Sequence, residues 1–274
     1  MLQRFTEYIQ QQHLLSHGQE VLLAVSGGRD SVAMVDLFRR AGYPFAIAHC
    51  NFHLRPGDCD RDQLFVRRLA ERLGVEFHTV DFDTRTIAAA TGESIEEAAR
   101  RLRYEYFAHL LSPSTPCTPV LATAHHRDDS IETFFRNLFR GTGIAGLHGI
   151  RPNSELRIKN EEIRIVRPML CFSRAEIDRY VEENHLEYVE DYTNAELDAR
   201  RNAIRLRLMP LLRELYPSVD DTMAANIERL HDTELIYKEY IEKLRSTLLT
   251  RSQSSVPNSL PRPQGTIVLS LPPV

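Results

Sequence analysis

The amino-acid sequence predicts an α/β protein, a doubly wound parallel sheet followed by a smaller helical region. In the first half, four short apolar stretches alternate with segments whose apolar residues recur at helical spacing. This alternation is typical of βαβ units, in which helices cover both faces of a parallel sheet. Sheets of this kind bind ligands beyond the carboxyl ends of their strands, so the residues that follow each stretch are the first candidates for a site.

The individual elements follow from local patterns. The predicted strands cover residues 21–25, 45–50, 75–82 and 119–125, and the helices that follow them cover residues 31–40, 60–73, 94–111 and 128–140. Further along, the pattern predicts a hairpin over residues 156–168 and helices over residues 173–184, 201–215 and 222–249. Ser94 with Glu97, and Ser173 with Glu176, have the spacing of capping boxes at helix starts.

Composition changes indicate the domain organisation. We predict a boundary near Pro217, between a larger domain over residues 1–216 and a helical region over residues 217–250. Residues 252–264 are rich in serine and proline, as linkers are, and the last ten residues, GTIVLSLPPV, are strand-like. We therefore expect residues 251–274 to be a linker and the start of a C-terminal part that is cut short.

Composition also limits the class of protein. The chain has 274 residues, 42% of them hydrophobic and 26% charged, as in soluble globular proteins. No apolar run approaches the roughly 20 residues that cross a bilayer, and the start lacks the apolar stretch of a secretory signal. We expect a cytoplasmic protein with no membrane partner. The cysteines are scattered without a close pair, which argues against a disulfide framework or a thiol-ligated metal: Cys50, Cys59, Cys117 and Cys171.

The distribution of cations is more informative than the net charge of −4. Lys159 is the first lysine, so every earlier cation other than histidine is an arginine. A Walker-type phosphate loop needs its own lysine and is excluded from the N-terminal half. A phosphate site there must use backbone amides and arginine.

The strongest local motif is the hexapeptide SGGRDS at residues 26–31, directly between a predicted strand and a predicted helix. Two glycines permit a tight turn close to an anion, and the helix N-terminus supplies free amides. Asp30 suits a Mg²⁺ ligand, because a carboxylate beside phosphate needs a cation between them. A glycine turn with an ordinary helix cap is the alternative for this motif taken alone.

This hexapeptide matches the signature SGGxDS of the PP-loop ATP pyrophosphatases, which the chain resembles. The resemblance implies a doubly wound fold that binds the pyrophosphate end of ATP and directs attack to the α-phosphate. Residues 1–216 would then be the catalytic domain.

Further segments resemble one branch, the tRNA(Ile)-lysidine synthases, in serial order. They are ARRLRY at 99–104, LATAHHRDDSIET at 121–133, RGTG at 140–143, LHGI at 147–150, RPML at 167–170, EDYTN at 190–194 and RNAIR at 201–205. Two positions depart from the pattern: Ser130 replaces the usual glutamine, and NFHLR at residues 51–55 replaces NHGLR.

The resemblance implies a ligase that adenylates the wobble cytidine of a tRNA(Ile) with a CAU anticodon, then joins free L-lysine to it, with ATP and Mg²⁺. The residues it implies for ATP are Ser26, Gly27, Gly28, Arg29, Asp30, Ser31, His49, His125 and Gly141. The catalytic set is Asp30, Arg103, Asp129 and Glu132, with the metal on Asp30. Asp129 and Glu132, three apart at a helix start, are expected to bind lysine, and Arg201 and Arg205 to bind tRNA.

Several alternatives stay open from the sequence. Arg100 and Arg103 are also placed to form surface ion pairs with Glu96 and Glu97. The chain as a whole also fits another PP-loop tRNA-modifying enzyme such as a thiolase, a small-metabolite synthetase, or a non-catalytic ATP-binding domain. A homodimer is an open alternative for its assembly.

Overall fold

The computed structural model describes residues 1–54, 58–111, 120–158, 161–190 and 199–254. Its centre is one six-stranded sheet in the order β3-β2-β1-β4-β6-β5. The strands are β1 (Val21–Ala24), β2 (Phe45–Asn51), β3 (Phe77–Asp81), β4 (Val120–Ala122), β5 (Asn153–Ile158) and β6 (Glu161–Val166). All pairings are parallel except that of β5 with β6. The predicted doubly wound sheet is confirmed.

The described residues include ten α-helices. They are α1 (Leu2–Gln11), α2 (Arg29–Ala41), α3 (Asp58–Leu73), α4 (Thr84–Thr91), α5 (Ile95–Leu110), α6 (Arg127–Arg140), α7 (Arg174–Glu183), α8 (Ala199–Ala203), α9 (Met209–Leu215) and α10 (Val219–Ser254). A π-helical turn, Ile204–Leu208, joins α8 to α9. Both predicted capping boxes are present, Ser94 with Glu97 and Ser173 with Glu176.

The structure adds elements that the sequence patterns did not predict. Helix α1 was not predicted, although Leu2, Phe5 and Ile9 recur at the helical spacing i, i+3 and i+7. Helix α4 begins where the Asp83 side chain accepts the amide N–H of Thr86. The predicted hairpin is confirmed, and its second strand also pairs with β4, which extends the parallel sheet.

The two faces of the sheet bury separate cores because successive strand residues point to opposite sides. Leu23 and Ile47 pack with helices α1, α2, α3 and α7 on one face. Leu22 and Leu121 pack with α5 on the other. Strand β1 is therefore covered on both faces, and this packing fixes the position of the loop that follows it.

The C-terminal helices pack on α6 rather than on the sheet. Ile131 of α6 forms a third buried cluster with residues of the π-helical turn, α9 and α10. The domain boundary near Pro217 stays a prediction, and the linker and strand-like end predicted over residues 251–274 lie, from residue 255 onward, outside the described residues. None of the helices in the described part of the chain has the length and apolar character needed to span a bilayer.

Candidate active site

A cavity of about 790 Å³ lies at the carboxyl ends of β1, β2 and β4. The sheet order places β2 and β4 on opposite sides of β1, so this is a topological switch point. Ligands bind at such points in open α/β sheets. The cavity walls are the loop after β1, the end of β2, the segment after β4 and the first turn of α6, together with Arg103, Arg174 and Arg201.

The loop of residues 26–31 has the geometry of an anion cradle. The Ser31 hydroxyl donates to the carbonyl oxygen of Gly28 at 2.8 Å and accepts the amide of Gly27 at 3.2 Å. Gly27 has φ of +93°, a conformation that L side chains rarely adopt. Gly28 is the N-cap of α2 and supplies no side-chain cap, so the first-turn amides and the helix dipole are directed at the cavity.

Asp30, in the first turn of α2, is held by a residue that sequence reasoning missed. Arg174, at the start of α7, donates from Nη1 to both carboxylate oxygens of Asp30, at 2.9 and 3.1 Å. Its Nε also donates to Asp178 at 3.1 Å. The sequence gives no sign that Arg174 pairs with Asp30, because only the packing of α7 on α2 brings these two residues together.

The Arg29 side chain turns away from the loop that precedes it. Its Nη1 donates to Asp178 at 2.6 Å and its Nη2 to the Tyr188 hydroxyl at 2.9 Å, and its guanidinium lies 4.7 Å from the centre of the Tyr188 ring. Through these contacts Arg29 joins the loop to α7 and to the segment after it. Its role toward ATP stays a prediction, and Arg29 lines the cavity.

Two histidines of the cavity are held neutral. The Nδ1 of His49 lies 2.8 Å from the carbonyl oxygen of Val25 and therefore carries its proton. Burial lowers the pKa of His49, and it lowers the pKa of His125 to about 4. Nδ1 of His125 lies 2.9 Å from the Thr123 hydroxyl. Neutral imidazoles at the cavity suit hydrogen bonding to a nucleotide rather than charge neutralisation of phosphate.

Asp129 and Glu132 lie together at the start of α6, as their spacing predicts, and both are buried. Arg201 donates from Nε to Glu132 at 2.7 Å and from Nη2 to Asp129. Arg205 donates from Nε to the other oxygen of Glu132 at 2.7 Å. Burial disfavours ionisation of Asp129, but His126 and Arg201 outweigh it and hold the pKa of this carboxyl below its usual value. The two arginines thus face the acidic pair, and their role toward tRNA stays a prediction.

Arg103 lines the same cavity and is exposed. Its guanidinium lies 5.1 Å from the centre of the Phe52 ring, and that of Arg100 lies 5.2 Å from the Tyr104 ring. Across the described residues neither arginine pairs with Glu96 or Glu97, the surface pairing considered from the sequence. Arg103 is therefore positioned to meet a ligand in the cavity.

Two positions lie away from this group: Gly141, predicted from the sequence to bind ATP, and Ser130, the departure from the family pattern. Gly141 follows α6, whose 14 residues span about 20 Å, and it is exposed and absent from the cavity wall. Ser130 points to the other side of α6, where its hydroxyl accepts the amide of Ile150 at 2.9 Å. Ser130 fastens the glycine-rich segment to α6, and a Cβ on Gly149 would meet the Ser130 oxygen at 2.3 Å.

Comparisons with known proteins agree with this architecture. The PP-loop domain family matches residues 1–212. The chain is 42% identical over 248 residues to a tRNA(Ile)-lysidine synthase of Bacteroides thetaiotaomicron, which covers 90% of this chain and 56% of that protein. It is 38% identical over 250 residues to a tRNA(Ile)-lysidine synthase of Chlorobaculum tepidum, covering 90% and 72%. The chain thus spans about half the length of several relatives that it matches.

A solved structure shows the same fold at low identity. The U34-tRNA thiolase NcsA from Methanococcus maripaludis, determined with its [4Fe-4S] cluster, superimposes with a TM-score of 0.64 at 17% identity, over 83% of this chain and 78% of that one. The sequence matches are closer and cover both the loop and the acidic pair. The chain is therefore a member of the PP-loop domain family and, within it, of the tRNA(Ile)-lysidine synthases.

Proposed function

We propose that this chain activates the wobble cytidine of a tRNA(Ile) with a CAU anticodon by adenylation and then joins free lysine to it, with release of AMP and pyrophosphate. One observation carries the proposal: the anion cradle at residues 26–31 and Asp129, one member of the buried acidic pair, line the same cavity. An enzyme that catalyses two successive substitutions on one base needs the ATP site and the amino-acid site within reach of that base.

The ATP side of the cavity supports the first step. The first-turn amides of α2 and the hydroxyls of Ser26 and Ser31 would hold the phosphates that leave as pyrophosphate. Asp30 fits a Mg²⁺ ion that arrives with ATP, because Mg²⁺ in such sites is bound by one or two carboxylates and the substrate phosphates. When bound, the metal would neutralise phosphate charge in the transition state. Arg174, which holds the Asp30 carboxylate at the cavity, carries a guanidinium that would also suit an anionic phosphate oxygen.

The base side supports the second step. Arg103 would face the α-phosphate or the activated ring, where a fixed guanidinium stabilises developing negative charge. The cytidine carbonyl oxygen attacks the α-phosphorus, and lysine nitrogen then displaces AMP from the ring carbon. His49 and His125 would contact the nucleotide as neutral hydrogen-bonding groups. Asp129 and Glu132 would hold the amino acid during both steps.

The experiment that tests this function measures pyrophosphate released from ATP, with tRNA(Ile) or its anticodon stem-loop as acceptor and lysine, glutamine or a sulfur donor added in turn. We expect AMP and pyrophosphate as products, and a lysine-modified cytidine only in the reaction with lysine. ADP as the nucleotide product would contradict attack at the α-phosphate, and a product formed only with the sulfur donor would assign the chain to the thiolases.

The Asp30→Asn variant tests the metal role within this function. It keeps the size of the side chain and one oxygen that accepts from Arg174 but removes the charge, so we expect loss of most Mg²⁺-dependent turnover with a largely unchanged melting temperature. Asp178→Asn, which alters the same arginine network outside the cradle, is the matched control. Full turnover in Asp30→Asn would exclude the metal site.

A further inference from the structure

Arg103 is held at the cavity by an aromatic ring rather than by a carboxylate. Three other arginines of the cavity, Arg29, Arg174 and Arg201, each donate to a carboxylate, at 2.6, 2.9 and 2.7 Å. No hydrogen bond or ion pair joins Arg103 to another residue of the described ranges, and its guanidinium lies 5.1 Å from the centre of the Phe52 ring. Within the described part of the chain, the charge and the N–H donors of Arg103 therefore stay available to a ligand.

The segment that carries the Phe52 ring is fixed by hydrogen bonds. The side chain of Asn51 is buried, and its Nδ2 donates to Gln63 at 2.8 Å while its Oδ1 accepts the amide of His53 at 3.1 Å. The carbonyl oxygen of Phe52 accepts the hydroxyl of Thr84, a buried residue, at 2.9 Å. The ring therefore projects into the cavity wall from a backbone that these bonds hold in place.

A second ring supports Phe52 beside α5. Phe82 stacks on Phe52 with the ring centroids 5.6 Å apart and the planes inclined by 22°. Phe82 also meets the ring of Tyr106 edge-on, at 6.4 Å. Tyr106 lies three residues after Arg103 on α5, so the two side chains share one side of the helix. That side of α5 therefore packs against the two rings.

An aromatic ring holds a guanidinium without neutralising it. The ring face attracts the cation through its quadrupole, whereas a carboxylate would cancel the charge and occupy N–H donors. A guanidinium held in this way can still donate to an oxygen on which negative charge develops in a transition state. The ring also restricts a long side chain before the ligand arrives, so less conformational entropy is lost on binding.

We propose that Phe52 is a positioning residue for the first substitution, because its ring holds the Arg103 guanidinium where the N–H groups donate to the α-phosphate oxygens of ATP. In that step the cytidine carbonyl oxygen forms a bond to the α-phosphorus, the bond from that phosphorus to the bridging oxygen breaks, and pyrophosphate leaves with the electron pair. Phe52 acts through Arg103 and contacts none of the reacting atoms. The inference rests on the proposed function and deepens it.

Steady-state kinetics of the full chain test this role, with ATP, saturating lysine and the tRNA(Ile) anticodon stem-loop. Phe52→Leu should lower kcat for pyrophosphate release about three- to thirtyfold and change the KM for ATP less than about twofold, because the contact of Arg103 strengthens in the transition state. Phe52→His keeps a flat ring, as in the pattern NHGLR, and should retain kcat within about threefold. The matched control is Phe77→Leu, which removes a ring 5.2 Å from the Arg67 guanidinium that does not line the cavity, and kcat should stay within about twofold.

A double-mutant cycle shows whether Phe52 acts through Arg103. Arg103→Gln alone should lower kcat about 10²–10³-fold. Phe52→Leu added to Arg103→Gln should then change kcat less than about twofold, because the ring has no guanidinium left to hold. An equal loss in both backgrounds would overturn the proposal, and Phe52 would then contact a base directly or support only the fold.

Trifluorophenylalanine in place of Phe52 separates the attraction for the cation from the shape of the ring. Fluorine withdraws electrons from the ring face, so a ring of nearly the same shape holds the guanidinium more weakly. We expect kcat to fall while the melting temperature stays the same. An unaltered kcat in this variant would refute the positioning role, even where Phe52→Leu does not fold.

Arginine side-chain NMR of the free protein distinguishes failure of this inference from failure of the proposed function. The Nε–H signal of Arg103, identified by its loss in Arg103→Gln, should be rigid on the ps–ns timescale in the unaltered protein and mobile in Phe52→Leu. Equal mobility in the two proteins would overturn the positioning role, whatever reaction is catalysed. A rigid signal that depends on Phe52, without tRNA-dependent pyrophosphate release, would refute the proposed function while the hold of Phe52 on Arg103 stands.

Discussion

Gly27 and Gly28 stand side by side in the phosphate loop, yet the structure predicts opposite responses to a methyl group. Gly27 has φ of +93°, and an added Cβ would lie 3.2 Å from Cγ2 of Val66 and 3.4 Å from Cδ1 of Phe65. Gly28 has φ of −73°, and its added Cβ would meet Ser26 Oγ at 3.4 Å, an ordinary contact. Gly28→Ala is therefore a matched control for Gly27→Ala.

The expected magnitude follows from two separate costs. Holding an L side chain at positive φ costs about 1–2 kcal/mol. The contact with Val66 adds about 1–2 kcal/mol, because that side chain is fully buried and shifts only with its neighbours. We expect Gly27→Ala to lower the free energy of unfolding by about 2–4 kcal/mol, and Gly28→Ala to change it by less than about 1 kcal/mol.

Denaturant titration followed by circular dichroism measures both values, and thermal unfolding gives an independent estimate. For a chain of this size each kcal/mol corresponds to about 2–4 °C in Tm. Gly27→Ala should melt about 5–15 °C below the unaltered protein. Equal stability of the two variants would refute the strained geometry assigned to the loop, whatever their ATP affinity.

Three further predictions concern other parts of the molecule. Burial lowers the pKa of His125 to about 4, so the unfolded chain takes up a proton first as the pH falls below 6.5. The free energy of unfolding should therefore decrease by about 2 kcal/mol between pH 6.5 and 4.5. His125→Asn should remove that part of the slope in denaturation curves. The Glu234 side chain is 1% exposed and pairs with Arg151 and Lys238, whose cations stay partly in water, so Glu234→Gln should lower the free energy of unfolding by about 1 kcal/mol. Glu239 pairs with Lys243 in an exposed position on the same helix, so Glu239→Gln should lower it by less than about 0.5 kcal/mol. Arg205 donates to Glu132, so Arg205→Ala should leave the salt dependence of tRNA binding unchanged. A decrease of about 1 in the slope of log K against log salt concentration would instead support the predicted contact with a tRNA phosphate.

Local sequence was sufficient to predict the loop of residues 26–31 and its place between β1 and α2. Two adjacent glycines, a preceding apolar run and a following helical pattern are contiguous, so their meaning does not depend on distant packing. The spacing of Asp129 and Glu132 likewise placed both carboxylates on one side of α6 before any fold was known. The family resemblance rests on the same contiguous blocks.

Tertiary structure decided which charges meet. Arg201 lies 69 residues from Glu132, and Arg174 lies 144 residues from Asp30, so no periodicity indicates either pair. Helical spacing shows that Arg201 and Arg205 share one face of a helix. It does not show what that face contacts, because solvent, a tRNA phosphate and a carboxylate are all compatible with the same spacing. The packing of α8 and the π-helical turn on α6 made the choice. Buried carboxylates require a cation within hydrogen-bonding distance, and the fold brought these two guanidiniums there.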